Sequence, residues 1–151
     1  MMCAATLLEK ISEFPNSEHF HIYLFEKNPV LGKKVSISGG WRCNVTTGIT
    51  DKKTLLGKYT RGSDFLKYSI GKFWPKKVVE WFESHGVPIK CEEDMRVFPI
   101  SNSGADVIGA FQQIFEANTA RCTLMLSTAI DTIQYNDNTY TLNYKDTQLE
   151  V

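Results

Sequence analysis

Apolar positions near the start of the chain follow two different patterns, and each pattern predicts a different element. Over residues 1–14 apolar side chains recur every three or four positions, as on one face of a helix. Residues 20–25 form a continuous run rich in aromatic and β-branched side chains, which is typical of a buried strand. The run stops at Glu26, so a carboxylate is expected at the carboxyl end of this strand. Ligands bind at that edge of parallel sheets.

The middle of the chain has the pattern of helices followed by a hairpin. Helical periodicity recurs over residues 63–73. A second helix is expected to begin at Pro75, because proline lacks the N–H that a first helical residue would leave unpaired. Acidic residues 92–94 separate two short apolar runs, which predicts a hairpin. The first of the two helices is expected to turn five side chains inward, namely Phe65, Leu66, Ser69, Ile70 and Phe73.

The last part of the chain is predicted to be β-structure. Residues 121–126 are expected to add a strand to the parallel sheet. Three short segments with alternating apolar positions then predict an antiparallel meander that turns at residues 136–138. These segments are residues 129–134, 139–144 and 147–151. The order of elements as a whole predicts the α/β class.

Charge is balanced over the whole chain but not along it. Seventeen basic and seventeen acidic side chains cancel, and a hydrophobic fraction of 42% is ordinary for a globular domain. Residues 33–77 hold eleven Lys and Arg against two Asp. This basic segment is either a solvated face or a surface for an anionic group, such as a cofactor diphosphate, an anionic substrate or a nucleic-acid backbone. Because the net charge is zero, nucleic acid is not expected as a partner.

The four cysteines do not predict a site. They are widely spaced and include no C-x-x-C pair, so no zinc site, dithiol or other metal site is expected. Free thiols suit a reducing compartment. The apolar start of the chain has no basic flank and is ended by Glu9 and Lys10, too early for a signal peptide or a membrane span. The sequence therefore predicts a cytoplasmic protein without membrane contact.

Glu26 fits two interpretations. A carboxylate after the second strand of a dinucleotide-binding unit accepts hydrogen bonds from the ribose hydroxyls of the cofactor. A carboxylate that merely ends a strand in solvent would look the same in the sequence. The residues that follow Glu26 favour the first interpretation.

The segment after the strand carries a long motif. Residues 25–46 read FEKNPVLGKKVSISGGWRCNVT. This segment resembles the pattern E-K-N-x-x-L-G-(K/R)-K-x-x-I-S-G-G-G-R-C-N-V-T of the HI0933-like, or aminoacetone-oxidase-like, FAD-dependent oxidoreductases. Residues 65–66, 81–88 and 96–101 resemble later family landmarks in the right order, so the resemblance covers nearly the whole chain. The sequence departs from the pattern at Trp41, where the family usually has a third glycine and therefore a bare backbone.

The resemblance implies a partial Rossmann-like, three-layer domain of the FAD/NAD(P)-binding kind. Residues 1–46 and 119–151 would form the Rossmann-like part with the meander. Residues 47–118 would form an inserted segment of helices and a hairpin. All of these residues would belong to one truncated FAD-binding domain.

The resemblance also implies which residues bind FAD. Glu26 would hold the adenosine ribose, and Lys27 and Lys34 would lie near the phosphates. The backbone of Ile130 would meet the adenine, or Ile130 would be a plain packing residue of its strand. The rest of the implied cofactor-binding set is Gly32 and the flavin-side loop of Ser38, Gly39, Gly40, Arg42 and Asn44. No catalytic residue is indicated, because the isoalloxazine ring would carry the chemistry.

The implied function is that of an FAD-dependent oxidoreductase that uses NAD(P)H as electron donor and acts on a small-molecule substrate. A dinucleotide-binding unit begins with a strand and a G-x-G-x-x-G turn, and the 151 residues contain no such turn. We therefore expect a fragment that is inactive by itself. The alternative is a non-enzymatic remnant, or a basic interaction module in which residues 33–77 bind an anionic partner.

Overall fold

The computed structural model describes all of residues 1–151 and divides them into two compact units. Unit 1 comprises Met1–Lys33 and Phe111–Val151, and unit 2 comprises Lys34–Ala110. Each unit contains its own strands and its own buried side chains. The division expected from the sequence, with an insertion at residues 47–118, stays a prediction.

Helices and strands alternate along much of the chain, as in other α/β proteins. The helices are α1 (Met2–Lys10), α2 (Lys33–Ile37), α3 (Lys52–Gly57), α4 (Ser63–Lys72), α5 (Pro75–Ser84) and α6 (Gly104–Ala117). The strands are β1 (Ile22–Phe25), β2 (Thr46–Thr47), β3 (Ile89–Cys91), β4 (Arg96–Pro99), β5 (Cys122–Met125), β6 (Thr132–Asn136), β7 (Thr139–Tyr144) and β8 (Thr147–Glu150). None of the helices is long and apolar enough to cross a membrane.

The parallel sheet of unit 1 consists of β1 and β5. Their register aligns Ile22 with Cys122 and continues residue by residue to the end of β1. The helix that precedes β1 buries Ala4, Ala5 and Leu8, which lie on the apolar face that its periodicity predicts. A helix followed by a strand of a parallel pair confirms the predicted α/β class.

The meander of unit 1 is antiparallel, in the order β6, β7, β8. Asp137 and Asn138 both have positive φ at the β6–β7 turn, and Lys145 and Asp146 do so at the β7–β8 turn. Two consecutive residues with positive φ are the mark of the tight hairpin turn that matches the twist of two strands. The turn predicted at residues 136–138 is therefore confirmed.

The sheet of unit 2 has β4 in its centre, between β2 and β3. Val97 and Phe98 of β4 have almost no exposed surface and belong to the core of this unit. The hairpin of β3 and β4 is antiparallel, as the sequence predicts. Helix α5 begins at Pro75 as expected and buries Phe82.

Helix α4 is present where it is predicted, but the face that was expected to be buried is not buried. Phe65 is 85% exposed and Tyr68 is also largely exposed, and no residue of this helix is buried. Periodicity identifies the side chains that share one face of a helix, whereas burial requires a second element to cover that face. The expectation that Phe65 points inward is wrong for this reason.

Substitution of one buried and one exposed phenylalanine tests which side chains form the core of unit 2. We expect Phe98→Ala to lower the free energy of unfolding by about 3–5 kcal/mol, because it opens a cavity in a fully buried site. Phe65→Ala should change it by less than about 0.5 kcal/mol, since that ring is solvated. Urea denaturation of both variants measures the difference, and similar losses for the two would contradict the assignment of Phe98 to the core.

Candidate functional site

Glu26 lies at the carboxyl end of β1 and is held there by its own backbone and by Asn28. Its N–H donates to the carbonyl oxygen of Met125 at 3.0 Å, and its carbonyl oxygen accepts from the N–H of Thr128 at 2.9 Å. Its carboxylate oxygen Oε1 accepts from the backbone N–H of Asn28 at 2.8 Å and from Asn28 Nδ2 at 2.6 Å. Asn28 therefore fixes the orientation of a half-buried carboxylate.

The segments that follow β1 and β5 are tied to each other. The N–H of Ser127 donates to the carbonyl oxygen of Asn28 at 2.9 Å. Thr128 is buried, and its hydroxyl donates to the carbonyl oxygen of Leu126 at 2.9 Å. Ile130 follows two residues later and is half-buried. The chain thus leaves both strands at one edge of the sheet, with Glu26 on one segment and Ile130 on the other.

Three more residues of the predicted cofactor-binding set follow Glu26 in the chain, namely Lys27, Gly32 and Lys34. Lys27 is exposed directly after Glu26. Gly32 is buried and has φ of 67°, a conformation that glycine adopts at little cost. Lys34 is exposed on α2 and belongs to unit 2. The roles of Lys27 and Lys34 toward phosphate, and that of Gly32 in cofactor binding, stay predictions.

The glycine loop of unit 2, residues 38–44, has a left-handed backbone. Gly39, Gly40 and Trp41 have φ of 56°, 66° and 72°, and Cys43 has φ of 59°. The N–H of Cys43 donates to the carbonyl oxygen of Ser38 at 3.0 Å and closes the loop. Such a run of positive φ is possible at low cost only for residues without a Cβ.

The two glycines of the loop are required for different reasons. A Cβ at Gly39 would lie 3.0 Å from the backbone nitrogen of Asn44 and 3.3 Å from the ring of Phe98. A Cβ at Gly40 would meet nothing within 4 Å. Gly39 is therefore needed for close packing as well as for its positive φ, whereas at Gly40 only the positive φ of 66° favours glycine, since the space around it is open.

Trp41, which stands where the motif has a third glycine, has a left-handed backbone conformation. Its φ is 72°, and its side chain is 68% exposed. Its carbonyl oxygen accepts from the N–H of Gly104 at 2.8 Å, which joins the loop to the start of α6. The departure from the motif therefore places an exposed indole in a left-handed, strained position.

Arg42 and Asn44 attach the loop to the hairpin of β3 and β4. Arg42 Nη1 donates to Glu92 Oε1 at 2.7 Å, and its guanidinium lies 3.9 Å from the centre of the Phe98 ring. Asn44 Oδ1 accepts from the backbone N–H of Val97 at 3.0 Å. These contacts explain both side chains as supports of the loop. Their contact with a flavin stays a prediction.

Cys43 is a packing residue of the loop. Burial raises the pKa of its thiol, and this outweighs the opposing effect of a hydrogen bond with Ser38. A raised pKa keeps the sulfur protonated at neutral pH, and the thiolate is the reactive form. No group of three or more His, Cys, Asp or Glu side chains that could hold a metal ion is present in residues 1–151.

Two residues that support the site were missed by the sequence analysis. Asn28 orients Glu26, and Glu92 anchors Arg42. The sequence carries a weak signal for Asn28, because Asn and Asp side chains often bond to groups two residues away. It carries no signal for Glu92, since fifty residues separate it from Arg42 and only the hairpin brings the two together.

The chain has a parallel strand pair with an oriented carboxylate at its carboxyl edge, and it also carries a glycine loop. This combination is typical of a dinucleotide-binding, Rossmann-type domain. A family model described as HI0933-like protein Rossmann domain matches residues 1–151. The chain belongs to this family. The resemblance of residues 25–46 and the Rossmann-like fold class are thereby confirmed, while the roles of individual residues toward a cofactor stay predictions.

The left-handed loop predicts opposite effects of substitutions at adjacent positions. Gly40→Ala should lower the free energy of unfolding by about 1 kcal/mol, since a Cβ is disfavoured at positive φ. Gly39→Ala should cost more, because its Cβ also meets the backbone nitrogen of Asn44. Trp41→Gly should raise stability by up to about 1 kcal/mol, less the entropy that glycine gains in the unfolded chain. Chemical denaturation measures all three, and a stabilising Gly39→Ala would refute the loop geometry.

Proposed function

We propose that this domain binds FAD and serves an FAD-dependent oxidoreductase that takes electrons from NAD(P)H and acts on a small-molecule substrate. The observation that carries the proposal is the carboxylate of Glu26. It is oriented by Asn28 at the carboxyl edge of a parallel strand pair, in a chain that belongs to the HI0933-like family. This is the position at which dinucleotide-binding domains hold the ribose.

The residues present fit an adenosine ribose. An ionised carboxylate only accepts hydrogen bonds and has about four lone-pair sites, so one group can serve both the Asn28 N–H groups and ribose hydroxyls. Charge-assisted bonds of this kind are short and strong. The backbone of Ile130 leaves the same sheet edge, where it would meet the adenine. In this assignment Glu26 and Ile130 bind the adenosine half of FAD.

The loop of unit 2 fits the flavin half. The backbone at Gly40 carries no side chain, and a Cβ added there would meet nothing within 4 Å, so a flat ring or a phosphate can come close to this backbone. Lys27 and Lys34 would complement the negative charge of the pyrophosphate. Bound FAD would supply the redox chemistry, whereas the residues of the chain bind and orient it. Ser38, Arg42 and Asn44 would hold the loop in shape.

The chain by itself should bind FAD weakly and should not catalyse the oxidation of NADH or NADPH. No G-x-G-x-x-G turn occurs in its 151 residues, and such a turn supplies the N–H groups that hold a pyrophosphate. We expect little flavin to remain after desalting of a mixture with FAD, and no oxidation of NADH or NADPH above the rate of free FAD. Stoichiometric retained flavin with steady turnover would show that no such turn is required.

The role of Glu26 is tested by titration with FAD. Glu26→Ala should weaken the binding free energy by about 1–3 kcal/mol, the range for losing hydrogen bonds to a charged acceptor. Glu18→Ala is the matched control, because Glu18 is an exposed carboxylate before the opposite, amino-terminal end of β1. Calorimetry up to millimolar FAD measures both variants. Equal affinities of Glu26→Ala and the parent chain would rule out the ribose contact.

A second candidate function, binding of an anionic partner, is supported by a different observation. Phe65 and Tyr68 are exposed on α4, and Lys72 Nζ lies 5.5 Å from the centre of the Tyr68 ring. An open cleft of about 670 Å³ lies between α3 and α4, and Lys53 and Lys67 are among its lining residues. Exposed aromatic rings beside lysines favour a surface for an anionic partner, as the basic segment predicts.

Charge reversal in this cleft tests the second candidate. Lys53→Glu with Lys67→Glu should release the chain from an anionic resin at a lower salt concentration than the parent, because both ammonium groups line the cleft. Lys10→Glu with Lys145→Glu is the control, since it changes the net charge equally at exposed sites of unit 1. Equal shifts for the two pairs would mean that only net charge matters and that the cleft is a solvated face.

A further inference from the structure

A small pocket of unit 2 begins where the glycine loop ends. It has a volume of about 330 Å³ and is lined by residues of β2, α3, α4 and the start of α5. Asn44, the last residue of the loop, is part of its wall, together with Thr46 of β2 and Tyr59 after α3. Small-molecule sites have volumes of about 300–1,000 Å³, so this pocket suits a small ligand with a single ring.

The larger part of the wall is apolar. Leu55 of α3 and Pro75 of α5 are buried, and Phe73 at the end of α4 is 44% exposed. Ile70 and Val78 are half-buried and complete this part of the wall. Contact with such side chains removes apolar surface of a ligand from water, and this is favourable. The wall therefore suits a ligand with an apolar body.

Three uncharged polar groups of the wall are not used by the fold. Asn44 Oδ1 accepts from the N–H of Val97 at 3.0 Å, so the Nδ2 end of this amide keeps its N–H donors for another partner. The hydroxyl groups of Thr46 and Tyr59 take part in no hydrogen bond within the protein. An amide N–H and two hydroxyls favour a ligand that presents an acceptor, such as a carbonyl oxygen.

No charged side chain lines the pocket, although the surrounding sequence is strongly basic. The wall contains no Asp, Glu, Lys, Arg or His, whereas residues 33–77 hold eleven Lys and Arg. An ion that leaves water for such a pocket loses its hydration and gains no opposite charge. The pocket therefore selects an uncharged ligand, in contrast to the cleft between α3 and α4, which lysines line.

We propose that this pocket holds the substrate of the oxidoreductase, and that the substrate is a small uncharged molecule with an apolar body and a carbonyl oxygen. The free amide and hydroxyl donors bind the carbonyl oxygen, and the apolar body packs against the side chains of α3, α4 and α5. The role as substrate rests on the proposed function, because Asn44 belongs both to the pocket and to the loop assigned to the flavin half of FAD.

Binding of matched ring compounds to the chain without FAD tests the pocket. The probes are acetophenone, which is neutral and has a carbonyl group, and benzoate and benzylammonium, which are charged and of similar size. We expect millimolar acetophenone to shift the nitrogen–proton NMR signals of the Asn44 side-chain amide and of the Thr46 and Tyr59 backbone amides. Each charged compound should bind at least about tenfold more weakly, because its charge stays unpaired in the pocket.

Substitutions in the wall locate the binding site. Thr46→Val and Tyr59→Phe remove the free hydroxyls with little change of shape, so each should weaken acetophenone binding roughly threefold to tenfold. Thr50→Val is the matched control, because Thr50 is exposed and does not line the pocket. If a variant does not fold, the comparison of the three probes on the parent chain still decides the outcome.

The results that overturn the pocket differ from those that overturn the proposed function. The absence of shifts at the pocket residues, equally tight binding of benzoate or benzylammonium, or an equal loss in Thr50→Val would each overturn the pocket and leave FAD binding untouched. A parent chain that binds acetophenone here but shows no FAD binding by calorimetry would refute the proposed function, and with it the role of the ligand as substrate.

Discussion

The parallel pairing of β1 with β5 is the interaction on which the candidate site depends. It brings together two segments separated by most of the chain and continues past the strands through the bond from the Thr128 N–H to the Glu26 carbonyl oxygen. Backbone groups that would be left unpaired at the ends of the strands are thereby satisfied. A carboxylate at this position has a fixed direction only because both segments are fixed. Asn28 then sets the orientation of its Oε1 atom.

The loop of residues 38–44 obeys a different constraint, which is steric. A backbone with positive φ at consecutive positions costs little for Gly39 and Gly40 and more for Trp41. The cost is tolerated because three hydrogen bonds determine the loop at once. The N–H groups of Cys43 and Gly104 donate to the carbonyl oxygens of Ser38 and Trp41, and the N–H of Val97 in β4 donates to Asn44 Oδ1. Strained residues persist where the surrounding structure fixes them, and such places are often functional.

Much of the fold could be predicted because its signals are local. The apolar run before Glu26, the proline at the start of α5 and the turn at Asp137 and Asn138 each follow from the conformational preference of a few adjacent residues. The family motif is local as well, since it is a run of residues with fixed spacing. The prediction that α4 turns Phe65 inward was wrong, because burial depends on what another part of the chain places against a helix.

The amino-acid sequence by itself determined the α/β class, the acidic end of the first strand, the glycine loop and the family to which the chain belongs. Only the tertiary structure decided that Asn28 orients Glu26, that Arg42 bonds to Glu92 over the Phe98 ring, and that α4 exposes its aromatic face. The physical reason is the range of the interactions. Backbone preferences and periodicity act over a few residues, whereas ion pairs, ring contacts and burial join residues that are distant in the chain and adjacent only after folding.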